Sequence, residues 1–123
     1  MVTERSIITE LLASGLDDWV SLHDVVWLST QGTISPETKR LVLKVLEFLY
    51  SNRLMIPGDL GELGFEDWPP PSTDWIIRSE RELDLLDWRP MGEGFWLRLA
   101  PRGERLARNT PVVDDDDTGL GGS

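Results

Sequence analysis

Residues 35–60, SPETKRLVLKVLEFLYSNRLMIPGDL, constrain this chain more than any other stretch, because they combine a helix start, a long apolar pattern and an abrupt change to strand chemistry. Ser35 is a capping residue, Pro36 suits the first helical position, and Glu37 favours the positive helix end. Asn52 marks the stop. At about 100° per residue, Leu41, Val42, Leu43, Val45, Leu46, Phe48, Leu49 and Tyr50 fall on one broad arc. Such an arc requires neighbours on more than one side. The narrow remaining face carries Glu37, Arg40, Lys44, Glu47 and Ser51, whose charges cancel and whose spacings favour pairing along the helix.

The N-terminal side of this element reads as two further helices. Ile7, Ile8, Leu11 and Leu12 give a buried stripe to a helix over Thr3–Ser14, with Gly15 as its stop. A brief strand at Trp19–Ser21 precedes a second helix over Leu22–Gln31, where Ser21 and Asp24 form an approximate capping box and Gly32 ends the run. After the third helix, Leu54–Ile56 is a strand expected to pair with Phe95–Leu99, FWLRL, with Trp19–Ser21 as a third edge.

Between those strands lies a long excursion. Pro69, Pro70 and Pro71 stiffen its approach, and residues 73–87, TDWIIRSERELDLLD, carry Ile76, Leu83 and Leu86 on one helical face beside Trp75. Residues 89–94 read as a loop and Pro101–Arg108 as a short final helix. Residues 109–123 have no periodicity and contain four consecutive Asp, which predicts a disordered acidic tail. One domain over 1–108 is expected, since 123 residues suffice for one ordinary core.

Three helices, a strand and a late returning strand give the order of the winged helix-turn-helix superfamily, which the chain resembles through SNRLMIPGDL and FWLRLAPRGERLA. The second segment resembles the strand-then-helix ending, often YxLTxxG, of several bacterial winged-helix regulators; Ala100 replaces their capping Thr. The chain is also similar to small actinobacterial proteins of undefined function with a GDL turn (Gly58–Leu60), a GF(x)nW stretch (Gly64–Trp68) and a late WL strand (Trp96–Leu97). The fold class expected is α+β: a winged-helix-like three-helix core with a small antiparallel wing, an extra helix inserted between the wing strands and a short C-terminal helix.

Composition narrows the partners. A formal net charge of -10 opposes attraction to phosphate backbones and anionic membranes and favours a basic protein partner. No apolar run approaches the roughly 20 residues that cross a bilayer, and MVTERSIITELL lacks the basic start of a signal peptide, so a cytoplasmic location is expected. With no Cys and a single His, His23, no metal, cofactor or His-based triad is expected. The nucleotide-binding, hydrolase and metalloprotease strings are absent, and the chain is not expected to be an enzyme.

From Leu54 to Asp74 there are five acidic residues, Asp59, Glu62, Glu66, Asp67 and Asp74, and no basic one, unlike a wing laid along DNA. Glu80, Asp84 and Asp87 add an acidic stripe on the inserted helix. Trp27, Trp75 and Trp96 are assigned to packing. Trp68 and Trp88, which flank the excursion, are the candidate exposed anchors. The expected partner-binding set is therefore Asp59, Glu62, Glu66, Asp67, Trp68, Glu80, Asp84, Asp87 and Trp88, on an interaction module of immunity, antitoxin or adaptor type. The alternative is a dimeric transcription regulator contacting DNA through Lys39, Arg40, Lys44 and Arg53, the broad apolar arc of the third helix supplying the homodimer surface.

Overall fold

The computed structural model describes residues 3–109; beyond Asn109, the tail expected to be disordered lies outside the described residues. The described chain is α+β, with the elements α1 (Glu4–Gly15), β1 (Val20–Ser21), α2 (Leu22–Thr30), α3 (Pro36–Ser51), β2 (Met55–Gly61), β3 (Gly64–Asp67), α4 (Trp75–Leu85), β4 (Trp96–Leu99) and α5 (Pro101–Asn109). The four strands make one antiparallel sheet in the order β1-β4-β2-β3.

Helix α3 forms as its caps dictate. Ser35 Oγ accepts the Thr38 N–H at 3.2 Å and Thr38 Oγ1 accepts the Ser35 N–H at 2.8 Å, so two amide groups at the helix start are satisfied reciprocally. Val42, Val45, Leu46, Leu49 and Tyr50 are buried, while Glu37, Arg40, Lys44, Glu47 and Ser51 are exposed along the neutral face. The helix packs against α1, α2, α4 and the start of β2. That enclosure is what the broad apolar arc required. Burial of its aliphatic side chains contributes roughly 1.5–3 kcal/mol each before chain entropy is counted.

The first two helices differ from expectation at their ends. Gly15 is the last helical residue of α1 rather than its stop, and a Cβ there would lie 2.8 Å from Leu99 Cγ; its value is close approach to β4. Helix α2 ends at Thr30 with Gln31 in the left-handed region (φ 53). At its start Ser21 Oγ accepts the Asp24 N–H at 3.2 Å, the helix-capping half of the expected box.

The strand pairing expected from sequence is present. Met55 pairs with Leu99 and Gly58 with Trp96 between β2 and β4, and Val20 pairs with Leu97 between β1 and β4. The excursion, however, begins with a strand as well as containing a helix. β2 runs on to Gly61, turns through Glu62 and Leu63, and returns as β3 with Gly58 opposite Asp67 and Leu60 opposite Phe65. Gly58–Leu60, expected as a turn, is therefore mid-strand. Gly58 is the residue that permits this: a Cβ there would strike the Phe65 ring and the Glu66 carbonyl. Pro57 sits in a central strand because its missing N–H faces the end of the hairpin, where its carbonyl accepts the Trp68 N–H at 2.9 Å.

The inserted helix is shorter than expected, a 3-10 turn at Ser72–Asp74 leading into α4. It is tied to α3 by a buried polar contact between Tyr50 Oη and Ser79 Oγ, 2.7 Å apart. Ser79 Oγ donates to the Trp75 carbonyl at 2.7 Å, which makes Tyr50 the donor to Ser79. Burial pushes the Tyr50 phenol above its ordinary pKa. The Trp75 ring meets Tyr50 edge-on with centroids 5.7 Å apart, so α4 covers a flank of α3 that would otherwise be apolar and open.

Candidate interaction surface

The two tryptophans expected as exposed anchors are in the core. Trp68 is 2% exposed and Trp88 4%. Trp68 packs against Phe95, with ring centroids 4.6 Å apart, and against the Arg78 guanidinium, 4.0 Å from its ring centroid. Its Nε1–H donates to Asp59 Oδ2 at 3.1 Å. Trp88 follows Asp87, both in the left-handed region (φ 58 and 54), and this reversal folds the indole inward so that Nε1–H donates to Asp84 Oδ1 at 2.8 Å. Trp27, assigned to packing, is instead 52% exposed; Trp75 and Trp96 are half-buried. The buried stripe of α2 is Leu22, Val25, Val26 and Ser29, and Trp27 projects away from it.

Several expected acidic contacts are committed within the protein. Asp59 also accepts from Arg78 Nη2 at 3.3 Å, and Asp67 takes a two-pronged bond from Arg98 at 2.8 and 2.7 Å. The acidic stripe on α4 reduces to Glu80 and Asp84, because Asp87 lies beyond the helix end. Glu62, Glu66, Glu80 and Asp87 remain exposed. Arginines from distant segments thus offset the local negative charge of the hairpin.

The Arg98 guanidinium holds the Asp67 carboxyl below the usual aspartate range. A folded-state pKa below the unfolded value stabilises the fold above the unfolded pKa, and that stability is lost as pH falls through the folded pKa. Asp67→Asn is therefore expected to melt below the wild type at neutral pH, and to converge with it in acid once Asp67 is protonated. Both groups are about a third or more exposed, so the neutral-pH difference should be at most about 1 kcal/mol. Thermal melts across that range check it; a gap that persists in acid contradicts the pairing.

The alternative basic set does not assemble into one stripe. Lys39 Nζ lies 5.3 Å from the Trp88 ring centroid, and Arg40 Nη2 is 4.0 Å from Glu37 Oε2. Lys44 is exposed beside Glu47 on the neutral face, and Arg53 is exposed past the helix end with φ 57.

A different surface emerges from the sheet. Strand alternation places Ile56, Gly58 and Leu60 on the same face as Phe65, Asp67, Trp96 and Arg98, whereas Val20, Met55, Pro57 and Leu97 point to the buried side. The outer face is consequently aromatic and open. Trp19, 42% exposed, places its ring 5.6 Å from that of Phe65, Leu60 is exposed, and Leu63 at the hairpin tip is fully exposed. Exposed Asp17, Asp18, Glu62 and Glu66 flank these groups in the chain. The sequence held the signal in the alternation of IPGDLG against GFED, but only once β3 is recognised as a strand.

Among the described residues no His/Cys/Asp/Glu cluster has the geometry to hold a metal ion, and no helix is long and apolar enough to cross a membrane. His23 Nδ1 lies 3.6 Å from Asp24 Oδ1 at the surface. A cleft of about 410 Å³ separates Trp68–Pro70 from α4, with Arg78 in its wall already engaged by Asp59 and Trp68. In comparisons with known proteins, the chain matches no family model, no curated protein and no solved structure.

Proposed function

We propose that the chain is a non-catalytic, cytoplasmic interaction module of winged-helix-like architecture that binds a basic protein partner through the outer face of its sheet. The observation that carries this reading is the exposed group Trp19, Leu60 and Leu63, with half-buried Phe65 against Trp19, flanked in the chain by exposed Asp17, Asp18, Glu62 and Glu66. Aromatic anchors with a charged rim are the composition of a protein-binding hot spot, and the rim's sign selects a basic partner. Immunity, antitoxin and adaptor roles belong to that class. The architectural part rests on three helices followed by a hairpin and a returning strand, with β1 closing the far edge.

The DNA-binding reading is the weaker one. It needs α3 to present cations to phosphates, and its exposed face is neutral while Lys39 is occupied by Trp88. The homodimer of that reading would use the apolar arc of α3, of which α4 covers the Tyr50 side while Phe48 remains exposed.

Affinity capture from cells of the source organism tests the proposal. Wild-type protein and Trp27→Ala are expected to retain the same Lys/Arg-rich protein, while Trp19→Ala weakens its binding by about 30-fold, the effect of losing one hot-spot aromatic. Retention unaffected by Trp19→Ala combined with Leu63→Ser overturns it.

A further inference from the structure

Strand β3 is an outer edge of the sheet. The Trp68 N–H bond to the Pro57 carbonyl fixes the phase of the ladder, because hydrogen-bonded pairs alternate with non-bonded ones in an antiparallel pair. Glu66 therefore bonds across to Asp59 and Gly64 to Gly61, while Phe65 and Asp67 direct their N–H and C=O groups away from β2. Natural sheets blunt such an edge with lysine, proline or a bulge. Strand β3, GFED, contains neither residue and its register with β2 is continuous from Gly58↔Asp67 to Gly61↔Gly64, so short length and the charges of Glu66 and Asp67 are what guard it.

Charge decides what this edge accepts. Glu66 is exposed, Glu62 is exposed in the adjoining turn, and Asp67 is already neutralised by Arg98. A second copy pairing through the same edge would bring acidic side chains together, which is destabilising. An incoming strand with Lys or Arg beside Glu66 is attracted instead. Its alternate residues would lie beside Phe65, on the face that carries Trp19, Trp96 and Leu60, and apolar side chains match that surface.

Resting on the reading of this face as the partner site, we propose that β3 takes an extended segment of the basic partner as a fifth strand, with apolar and Lys/Arg residues alternating along it. Backbone hydrogen bonds to Phe65 and Asp67 provide the docking, and the aromatic face and Glu66 set the pattern.

The test uses the full-length ¹⁵N-labelled chain and an acetylated, amidated Val-Lys-Val-Lys-Val-Lys peptide, with the same peptide N-methylated at its valines as control. The plain peptide is expected to slow amide exchange at Phe65 and Asp67 at least about 10-fold, the control to leave it unchanged, and Glu66→Lys to weaken plain-peptide binding at least about 10-fold. Shifts in the Trp19 and Phe65 ring signals without new protection at Phe65 and Asp67, or equal protection by the control, overturn strand addition while leaving the surface reading intact. No change in either set of signals also overturns strand addition, and the capture experiment then decides separately on the surface.

Discussion

Trp68→Ala is expected to lower the unfolding free energy by roughly 3–5 kcal/mol, the range for deleting a large buried aromatic. The indole packs against both Phe95 and the Arg78 guanidinium, and Arg78 is also held by Asp59, so removing the ring leaves a cavity beside groups fixed elsewhere. Against a typical total of about 5–15 kcal/mol, such a loss brings the chain near its folding threshold. Trp68→Phe keeps a ring and gives up the Nε1–H bond to Asp59, so it should cost only about 1–2 kcal/mol. Urea unfolding of the two variants measures both values. A cost below about 1 kcal/mol for the alanine variant would return Trp68 to the role of an exposed anchor.

Gly103→Ala carries the second large effect, with a sign opposite to helix propensity. Within α5 alanine would ordinarily gain about 1 kcal/mol over glycine. Gly103, however, is buried directly against the Leu54 carbonyl, and a Cβ would collide with that backbone oxygen. The same carbonyl accepts the Ala100 N–H at 3.0 Å, so it cannot retreat without loosening the junction between β4 and α5. The expected outcome is a net destabilisation of about 2 kcal/mol, overpacking against a rigid group outweighing propensity. Helical content lost ahead of the main urea transition would show α5 lifting from α1; a stabilised Gly103→Ala protein would contradict this packing.

Local chemistry made some elements readable and hid others. Helix α3 carried its whole specification within itself, in Ser35, Pro36 and an apolar arc of which the structure leaves Phe48 outward beside the neutral face. The β2–β4 and β1–β4 pairings were also legible, because MIP, VS and WLRL are apolar enough to read as strands wherever they occur. Strand β3 was not: GFED is short and half acidic, and its Glu62–Leu63 turn lacks the Asn-Gly signature of a tight hairpin.

The tryptophans show the same division. Trp27 was locally decidable, since Leu22, Val25, Val26 and Ser29 define a stripe that excludes it. Trp68 was not, because proline and aspartate flank it while Arg78 and Phe95, which bury it, lie far along the chain. The proposed interaction surface differs from the expected one for that reason. Its acidic character was visible in composition, whereas the aromatic residues that accompany it were set by cross-strand register.

Strand β4 has a temporal consequence. It lies between β1, from the first part of the chain, and β2, and pairs Val20 with Leu97 and Met55 with Leu99. During synthesis α1, α2, α3 and the β2–β3 hairpin all emerge before it, so Val20 and the inner edge of β2 must wait without partners until almost the whole described chain has been made. The chain entropy of closing these loops is spent before the contacts of β4 repay it, so its pairing is expected late in folding. Until it arrives, the nascent chain exposes two strand edges that β4 covers in the finished protein.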